Sequence, residues 1–477
     1  MKRFKPVLAC AIAFLAACAL GRCDDGGNGG EDAVEDTPVD PVEDTAAEAD
    51  PDVPDDGTTD PPPDGDAEED APPPDVNGRL ETVDGLGVLY LWGTREEIGY
   101  ADGSLLCGKI TKFFKDYVLD YVVPESGYDY ATVTGLVRLM HVFSEGDLAE
   151  MEAMVQGMKD NCPPGDLIIE SENLEPSAGG SREITIDDVK VGHALPDFLC
   201  SSLTAWGEAS ASGKTIHARN LDFYIDPGGT FLVEHVVKVY DSQEEGGARF
   251  LSVAVPGLIG CISCFTEDGG GITIHNATGP SAGGGYVPRI LTSRAALVAS
   301  QYAADRVAAA EAVVEASPQY MGDNFHLSFP CDTAECIGGA VFELDGQALH
   351  ADGQVTVRLP GENDGGLTTQ DAIACTNHYQ KRSVPEPDGS STYLRFQTVV
   401  DGINASLTGG GLDVASALAI MADTAQQRSG FLTVHTTIMD TDTMQLHLYI
   451  ATAVDDPSPG ATPVVLSLPD LFAGFPE

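Results

Sequence analysis

Cys200 opens the stretch Cys200-Ser201-Ser202, and Arg219-Asn220-Leu221-Asp222 follows across a short turn at Ser212-Gly213-Lys214. A thiol, a guanidinium and a carboxylate are the parts of a nucleophilic site. A guanidinium beside a thiol favours the thiolate, the reactive form. A carboxylate at the same place can orient an amine or hold a proton. The runs on either side of the turn, 200–208 and 214–223, read as short β-strands. Joined by that turn they lie antiparallel, which returns Arg219 and Asp222 to the level of Cys200 or just beyond it. On composition alone the same residues also make an Arg–Asp ion pair holding a hairpin. A cysteine in an exported protein is, by type, more often bonded or buried than reactive.

Such a hairpin needs a frame. Upstream, residues 83–195 read as mainly helical. Thr94 and Glu97 have the spacing of a capping box. Ile98, Leu105, Leu106, Ile110, Phe113, Phe114, Val118 and Leu119 then recur at helical spacing. Further helices are predicted over 131–143 and 147–159, the last stopped by Asn161-Cys162-Pro163-Pro164. After Cys200 come β-like runs at 231–240, 249–260 and 271–276, then a helical block at 287–316. Strands are predicted near 339–344, 354–359 and 371–377, and a helix at 413–427. "FLTVHTTIMD" and "QLHLYIATAV" close the chain as a hairpin-like pair. Antiparallel strands interrupted by helical blocks predict a layered α+β fold.

The 477 residues carry a net charge of −50, unevenly spread. From Asp24 to Asn77 there is no Lys or Arg, and Asp, Glu, Pro, Gly and Thr dominate. That composition buries too little apolar surface to offset the entropy of ordering, which predicts an extended acidic tether over 19–77. No basic stripe is visible, which argues against a nucleic-acid partner. The start, "MKRFKPVLACAIAFLAAC", is basic then apolar, too short to span a membrane and suited to an export signal. Leu15-Ala16-Ala17-Cys18 resembles a bacterial lipobox, so 1–18 is expected to be a lipoprotein-type signal with Cys18 lipidated. Cys23 fits less well because Arg22 precedes it. The expected location is the cell envelope, anchored at the outer membrane or cell surface.

An exported compartment permits disulfides. Cys331 and Cys336 lie in the loop-like "PCDTAEC" and can pair, and Cys107 with Cys162 is a further option. "CISC" at 261–264 follows a strand-like run rather than opening a helix, which disfavours a thioredoxin-like redox motif. His326 and the loop cysteines lack a convincing fourth ligand for zinc. No metal or cofactor is implied.

"CSSLTAWGEASASGKTIHARNLDF" resembles the start of the catalytic chain in cysteine N-terminal-nucleophile (Ntn) hydrolases, including bile-salt hydrolases, penicillin V acylases, acid ceramidases and the isopenicillin-N acyltransferase group. The likeness extends to "LWGTREEIGYADGSLL", with Leu91, Gly93, Glu97, Gly99, Gly103 and Leu105 at matched positions. It continues through "PGLIGCISCFTEDGGGITIHNATG", "CTNHYQKR" and "SSTYLRFQTV", in order, over most of 88–450. The acyltransferase group is the most similar because the helical segment before Cys200 is long. The resemblance implies a four-layer αββα sandwich, with a helical prosegment or small chain at 78–199 and a catalytic chain at 200–477. It implies self-cleavage between Leu199 and Cys200, after which the new α-amine, with a pKa of about 7.7–8.0, serves as base for its own thiol. In that scheme Arg219 stabilises the thiolate and binds acyl or carboxylate groups, and Asp222 holds the α-amine. Asn276 and Asn377 supply oxyanion donors, and Arg395 braces Asp222 or the oxyanion wall. Two features depart from the pattern. Leu199 stands where many relatives have Gly, and the Cys200–Arg219 spacer is slightly long.

The expected activity is hydrolysis of linear N-acyl amides through a thioester on Cys200. One alternative is acyl transfer by the same thioester. Another is a non-catalytic surface lipoprotein that keeps the fold as a binding module. A papain-like Cys–His pair using His193, His275 or His378 is a formal rival that needs no cleavage.

Overall fold

The computed structural model describes residues 76–174, 179–194, 199–277, 284–320, 322–332, 336–345, 353–382 and 389–476. The expected signal segment, Cys18 and the expected tether up to residue 75 lie outside the described residues.

Two facing sheets form the interior. Nine described strands make the larger sheet, in the order Gly78–Val83, Leu86–Gly93, Val236–Ser242, Ala248–Ala254, Ser263–Thr266, Gly271–Ala277, Gly322–Ser328, Gly339–Leu344 and Val355–Arg358. The smaller runs Ala372–Cys375, Leu199–Ala205, Ile216–Tyr224, Phe431–Asp440, Gln445–Ile450 and Val464–Ser467, with Gln427–Arg428 added on Phe431–Asp440. Helices Arg95–Phe113, Arg289–Gln301 and Arg306–Glu315 cover the outside of the larger sheet, and Ser391–Leu407 and Val414–Thr424 cover the smaller one. This is the helix–sheet–sheet–helix α+β sandwich expected from the sequence.

Strand alternation fills the layers. Leu203, Ala205, Ile216 and Ala218 pack on Phe396, Val399, Ile403 and Met421 of the covering helices. Val88, Val239, Leu251 and Phe265 of the large sheet meet Met439, Leu446 and Leu448 of the small one. The space between the sheets is apolar there and polar around Cys200.

The segment before Cys200 is woven into the sandwich. The sequence reading opens the globular part near Val83, but Gly78–Val83 and Leu86–Gly93 are strands, and the second pairs in parallel with Val236–Ser242. Asn77, assigned to the tether, accepts the Trp92 N–H through its carbonyl. Thr94 and Glu97 form the expected capping box. The glycines of the "LWGTREEIGYADGSLL" stretch have a packing role. A Cβ at Gly99 or Gly103 would fall 2.0 or 1.9 Å from the Glu150 or Met154 carbonyl oxygen, so only glycine lets helix Arg95–Phe113 cross Glu145–Asn161 this closely.

Other differences are local. The predicted strand 231–240 begins as a helical turn, Thr230–Val233, because Asp226 accepts from the Thr230 N–H and hydroxyl. The block 287–316 is two helices, broken where Asp305 caps the second. The strand Gly322–Ser328 and the helix Ser391–Leu407 were not anticipated. Cys107–Cys162, Cys261–Cys264 and Cys331–Cys336 are disulfides, and Cys200 and Cys375 are free and buried.

Candidate active site

The hairpin brings Arg219 and Asp222 back beside Cys200, but only Asp222 passes its level, while Arg219 stops short of it, opposite Ser202. Cys200 pairs with Leu221, Ser202 with Arg219 and Leu199 with Asp222. Cross-strand partners share a face, so Cys200 and Arg219 point into the space between the sheets while Asp222 points to the covering helices. Arg219 and Asp222 are an odd number apart and cannot share a face of one strand.

On the inner face, Arg219 Nη2 donates to Cys200 Sγ at 3.0 Å and to the Ile274 carbonyl at 3.2 Å. Arg219 Nη1 donates to Ser263 Oγ and lies 3.2 Å from His435 Nε2. In this continuous chain burial pushes the Cys200 thiol above its ordinary pKa, against the pull of Arg219. The thiolate-favouring effect anticipated for the guanidinium is therefore present but outweighed, because the thiol is fully buried.

On the other face, Asp222 Oδ1 accepts from Thr433 Oγ1 at 2.6 Å. Its Oδ2 has no hydrogen-bond partner among the described residues and lies 3.7 Å from Arg395 Nη1. Desolvation raises the Asp222 carboxyl to about 6, with Arg395 opposing it. Arg395, from helix Ser391–Leu407, donates to the Cys200 carbonyl, to Ser201 Oγ at 2.7 Å and to Asn377 Oδ1 at 2.9 Å.

Asn377 Oδ1 also accepts the Cys200 N–H at 2.7 Å, and its Nδ2 donates to the Asn276 carbonyl at 2.7 Å. The Asn377 turn is clamped. Asn324 Nδ2 donates to the Thr376 and His378 carbonyls on either side, each at 2.9 Å. Thr392 Oγ1 accepts the Asn377 N–H at 2.8 Å. The Asn276 side-chain oxygen accepts from Arg289 Nη1, which also meets Asp323 at 2.8 Å. Arg219, Asp222, Asn276, Asn377 and Arg395 thus all gather around Cys200, directly or through one neighbour. Asn324, Thr392, Thr433 and Ser263 are further members of the site, and single hydroxyl and amide residues scattered over three strands and one helix give no spacing signal.

One β-bulge builds both faces. The register of Phe431–Asp440 on the Arg219 strand shifts between Thr433 and His435, so Thr433 pairs with Asp222 and His435 with the adjacent Leu221. The extra residue sends Thr433 to the helix face and His435 to the inner face, which unbroken alternation would forbid.

A layer of buried histidines also went unread. Ser202 Oγ lies 2.8 Å from His275 Nε2 and 2.6 Å from His326 Nδ1. Thr204 Oγ1 lies 2.9 Å from His326 Nε2 and 2.8 Å from His217 Nδ1. A signal existed: each of these histidines sits within a strand-like run directly after a large apolar residue, as in "TIHA", "TIHN" and "NFHL". Desolvation lowers His217 to about 3 and depresses His275 and His326 strongly, so all are neutral donor–acceptor rings. His193 is held by the Val189 carbonyl and the Ile259 N–H, and His378 by Thr376, Thr392 and Gln380. Among the described residues no histidine hydrogen-bonds Cys200, and no cluster of three or more His, Cys, Asp or Glu could hold a metal.

Fold and site together define an αββα sandwich protein with a buried cysteine at the start of an inner strand, held between a guanidinium and a side-chain amide. No protein-family model matches the chain. Two curated proteins of Dictyostelium discoideum, Protein dcd1A and Protein dcd1B, are similar to it at 21% identity over 192 residues and 22% over 204, covering 38% and 40% of this chain. The chain spans about two fifths of the length of these relatives, at 42% and 39%. Among solved structures it is similar to a Caenorhabditis elegans ortholog of N-acylethanolamine-hydrolyzing acid amidase, at 15% identity and a TM-score of 0.35 over 51% of this chain and 93% of that one. It is also similar to a mutant conjugated bile acid hydrolase from Clostridium perfringens, at 11% identity and a TM-score of 0.33 over 56% and 96%.

Proposed function

We propose that the protein is a self-cleaving cysteine Ntn amidohydrolase acting on linear N-acyl amides. The observation that carries this reading is the double hold on Cys200. Its thiol accepts from Arg219 while its backbone nitrogen, the group that would become the α-amine, donates to Asn377. A papain-like pair would need an imidazole at the sulfur instead.

In the proposed maturation Cys200 Sγ attacks the Leu199 carbonyl carbon. The C–N bond breaks, the acyl group passes to sulfur, and the Cys200 nitrogen takes the thiol proton to become the free amine. Water hydrolyses the thioester and frees the chain beginning at Cys200. In turnover the α-amine takes the thiol proton, the thiolate attacks an amide carbonyl, and the leaving amine departs with that proton. Water then releases the acyl group as a carboxylic acid. Arg219 balances the thiolate, and side-chain amides of Asn377 and Asn276 meet the oxyanion once their present bonds to the Asn276 carbonyl and Arg289 exchange. Asp222 receives the α-ammonium on its free Oδ2, with Arg395 bracing both Asp222 and Asn377.

The same reading puts the chain at the cell envelope on a lipidated Cys18, with the acidic stretch from 19 up to Val76 as spacer. Mass spectrometry of the purified protein should show a chain starting at Cys200, and an N-acyl amide panel should be hydrolysed only by cleaved protein. Hydrolysis by protein that stays whole would overturn the mechanism. Cys18→Ala protein should leave the membrane fraction; unchanged fractionation would remove the anchor.

A further inference from the structure

We propose that His235 and His435 form a two-imidazole relay that fixes the Arg219 guanidinium against Cys200, making both histidines positioning residues. The inference rests on the reading of Cys200 as nucleophile, but its geometry is independent of any substrate.

The proton positions follow from one fixed end. His235 Nδ1 lies 3.3 Å from the Leu232 carbonyl, which can only accept, so Nδ1 carries the hydrogen. A neutral His235 therefore presents a bare Nε2. His435 Nδ1 lies 3.0 Å from it and must be the donor. That leaves His435 Nε2 bare, facing Ser263 Oγ at 2.9 Å and Arg219 Nη1 at 3.2 Å. Ser263 Oγ accepts from Arg219 and gives its own hydrogen to His435. With Nη1 held by this pair, Nη2 is aimed at the Cys200 sulfur.

Both rings are buried and kept neutral: burial holds His235 at about 4, and burial with Arg219 depresses His435 strongly. The opposite tautomer of His435 would turn an N–H toward a guanidinium and break the hold. The bulge at Thr433–His435 is what delivers this ring to the inner face. The charged or titratable groups acting on Cys200 are Arg219, Asp222, Arg395 and Cys375, and those acting on His435 are Arg219 and His235.

The test uses full-length Cys200→Ala protein with nitrogen-labelled histidine for tautomers, and the wild-type minus Cys200→Ala thiolate absorbance for the thiol. His235 and His435 should both show the Nδ1–H tautomer; an Nε2–H signal for His435 overturns the relay. His435→Leu should lower the Cys200 thiolate fraction by about tenfold at any pH below the midpoint, a shift of about one unit. His435→Gln, which restores an acceptor, should stay within about twofold of wild type. His235→Phe does not touch Arg219, yet should give about a threefold loss by freeing the His435 tautomer; it also serves if His435→Leu does not fold. Unchanged titration in folded His235→Phe, or equal losses for His435→Gln and His435→Leu, overturns the proposal. Neither readout needs turnover, so a protein that hydrolyses no amide would refute the proposed function and leave the relay standing.

Discussion

Arg294 and Arg219 are equally buried, at 1% and 0% exposure, but their partners differ in kind. Arg294 is enclosed by carboxylates: Nε and Nη2 bind Glu245 at 3.1 and 2.7 Å, and Nη1 binds Glu150 at 2.9 Å. Arg95 adds to the cluster through Glu150 at 2.9 Å and Asp147 at 2.6 Å. Arg219 hydrogen-bonds a thiol, a hydroxyl, an imidazole and a carbonyl, and its Nε has no partner among the described residues. One guanidinium is neutralised by its neighbours and joins segments. The other is held by neutral groups, which fix its direction without cancelling its charge. A cation kept in that state can answer a negative charge that appears only during reaction.

The largest effect should come from removing the atom that Arg219 faces. Cys200→Ala protein should remain a single chain and lose all amide hydrolysis, read by intact mass and substrate assay. Residual cleavage before residue 200 would dissolve the distinction between the two clusters.

Arg294→Met should then cost about 3–5 kcal/mol of stability, because it leaves the buried Glu150 and the partly buried Glu245 with Arg95 as their sole remaining cation among the described residues. Arg219→Met strands no hydrogen-bonded carboxylate, so its stability loss should be much smaller. Urea denaturation of both, in the Cys200→Ala background, makes the comparison. Equal losses would mean that Arg219 is structural as well.

Asn377→Ala should lower single-turnover acylation by cleaved protein by about 10²–10³, in kcat more than KM. Asn276→Ala should fall in the same direction. A rate within about twofold of wild type would leave either residue as a turn-former.

The smallest effect concerns Asp222. Its folded pKa of about 6 is raised by desolvation from an ordinary value of 3.8, so the folded state binds more protons than the unfolded one between those values. Stability contributed by this group therefore grows as pH falls through about 6 and is lost as pH rises. Asp222→Asn, again in Cys200→Ala protein, should be more stable above that window by roughly 2–3 kcal/mol. The two proteins should converge as pH falls toward the ordinary value. A variant less stable than its parent at neutral pH would show that Asp222 is paired more tightly than its free Oδ2 indicates.

The hairpin was legible because two strand-like runs joined by a Ser-Gly-Lys turn must lie antiparallel and return Arg219 and Asp222 to the neighbourhood of Cys200, although the turn alone did not fix the register. Cys331–Cys336 was legible because the two thiols stand only five residues apart in the polar stretch "PCDTAEC". The opposite facing of Arg219 and Asp222 was there to be read in their odd spacing. The bulge at Thr433–His435 was not, since "LTVHTT" alternates as well without an extra residue as with one. Nor was the Arg294 cluster, whose carboxylates come from remote helices and loops and carry no local pattern. Gly99 and Gly103 stood out in the sequence, but their reason, the approach of a second helix backbone, is tertiary.

The three described disulfides all avoid one place. Cys107–Cys162 lies wholly before the Leu199–Cys200 bond, and Cys261–Cys264 and Cys331–Cys336 lie wholly after it. If that bond is cut, nothing covalent among the described residues ties the halves together. They would be joined by the parallel pairing of Leu86–Gly93 with Val236–Ser242 and by ion pairs such as Lys238–Asp102 and Arg294–Glu150. Folding as one strand makes these meetings intramolecular. After the cut, a molecule that unfolds must find its other half by diffusion, at a rate set by dilution. The protein's durability would then be measured by how slowly it first comes apart, and an episode of denaturation would be hard to reverse.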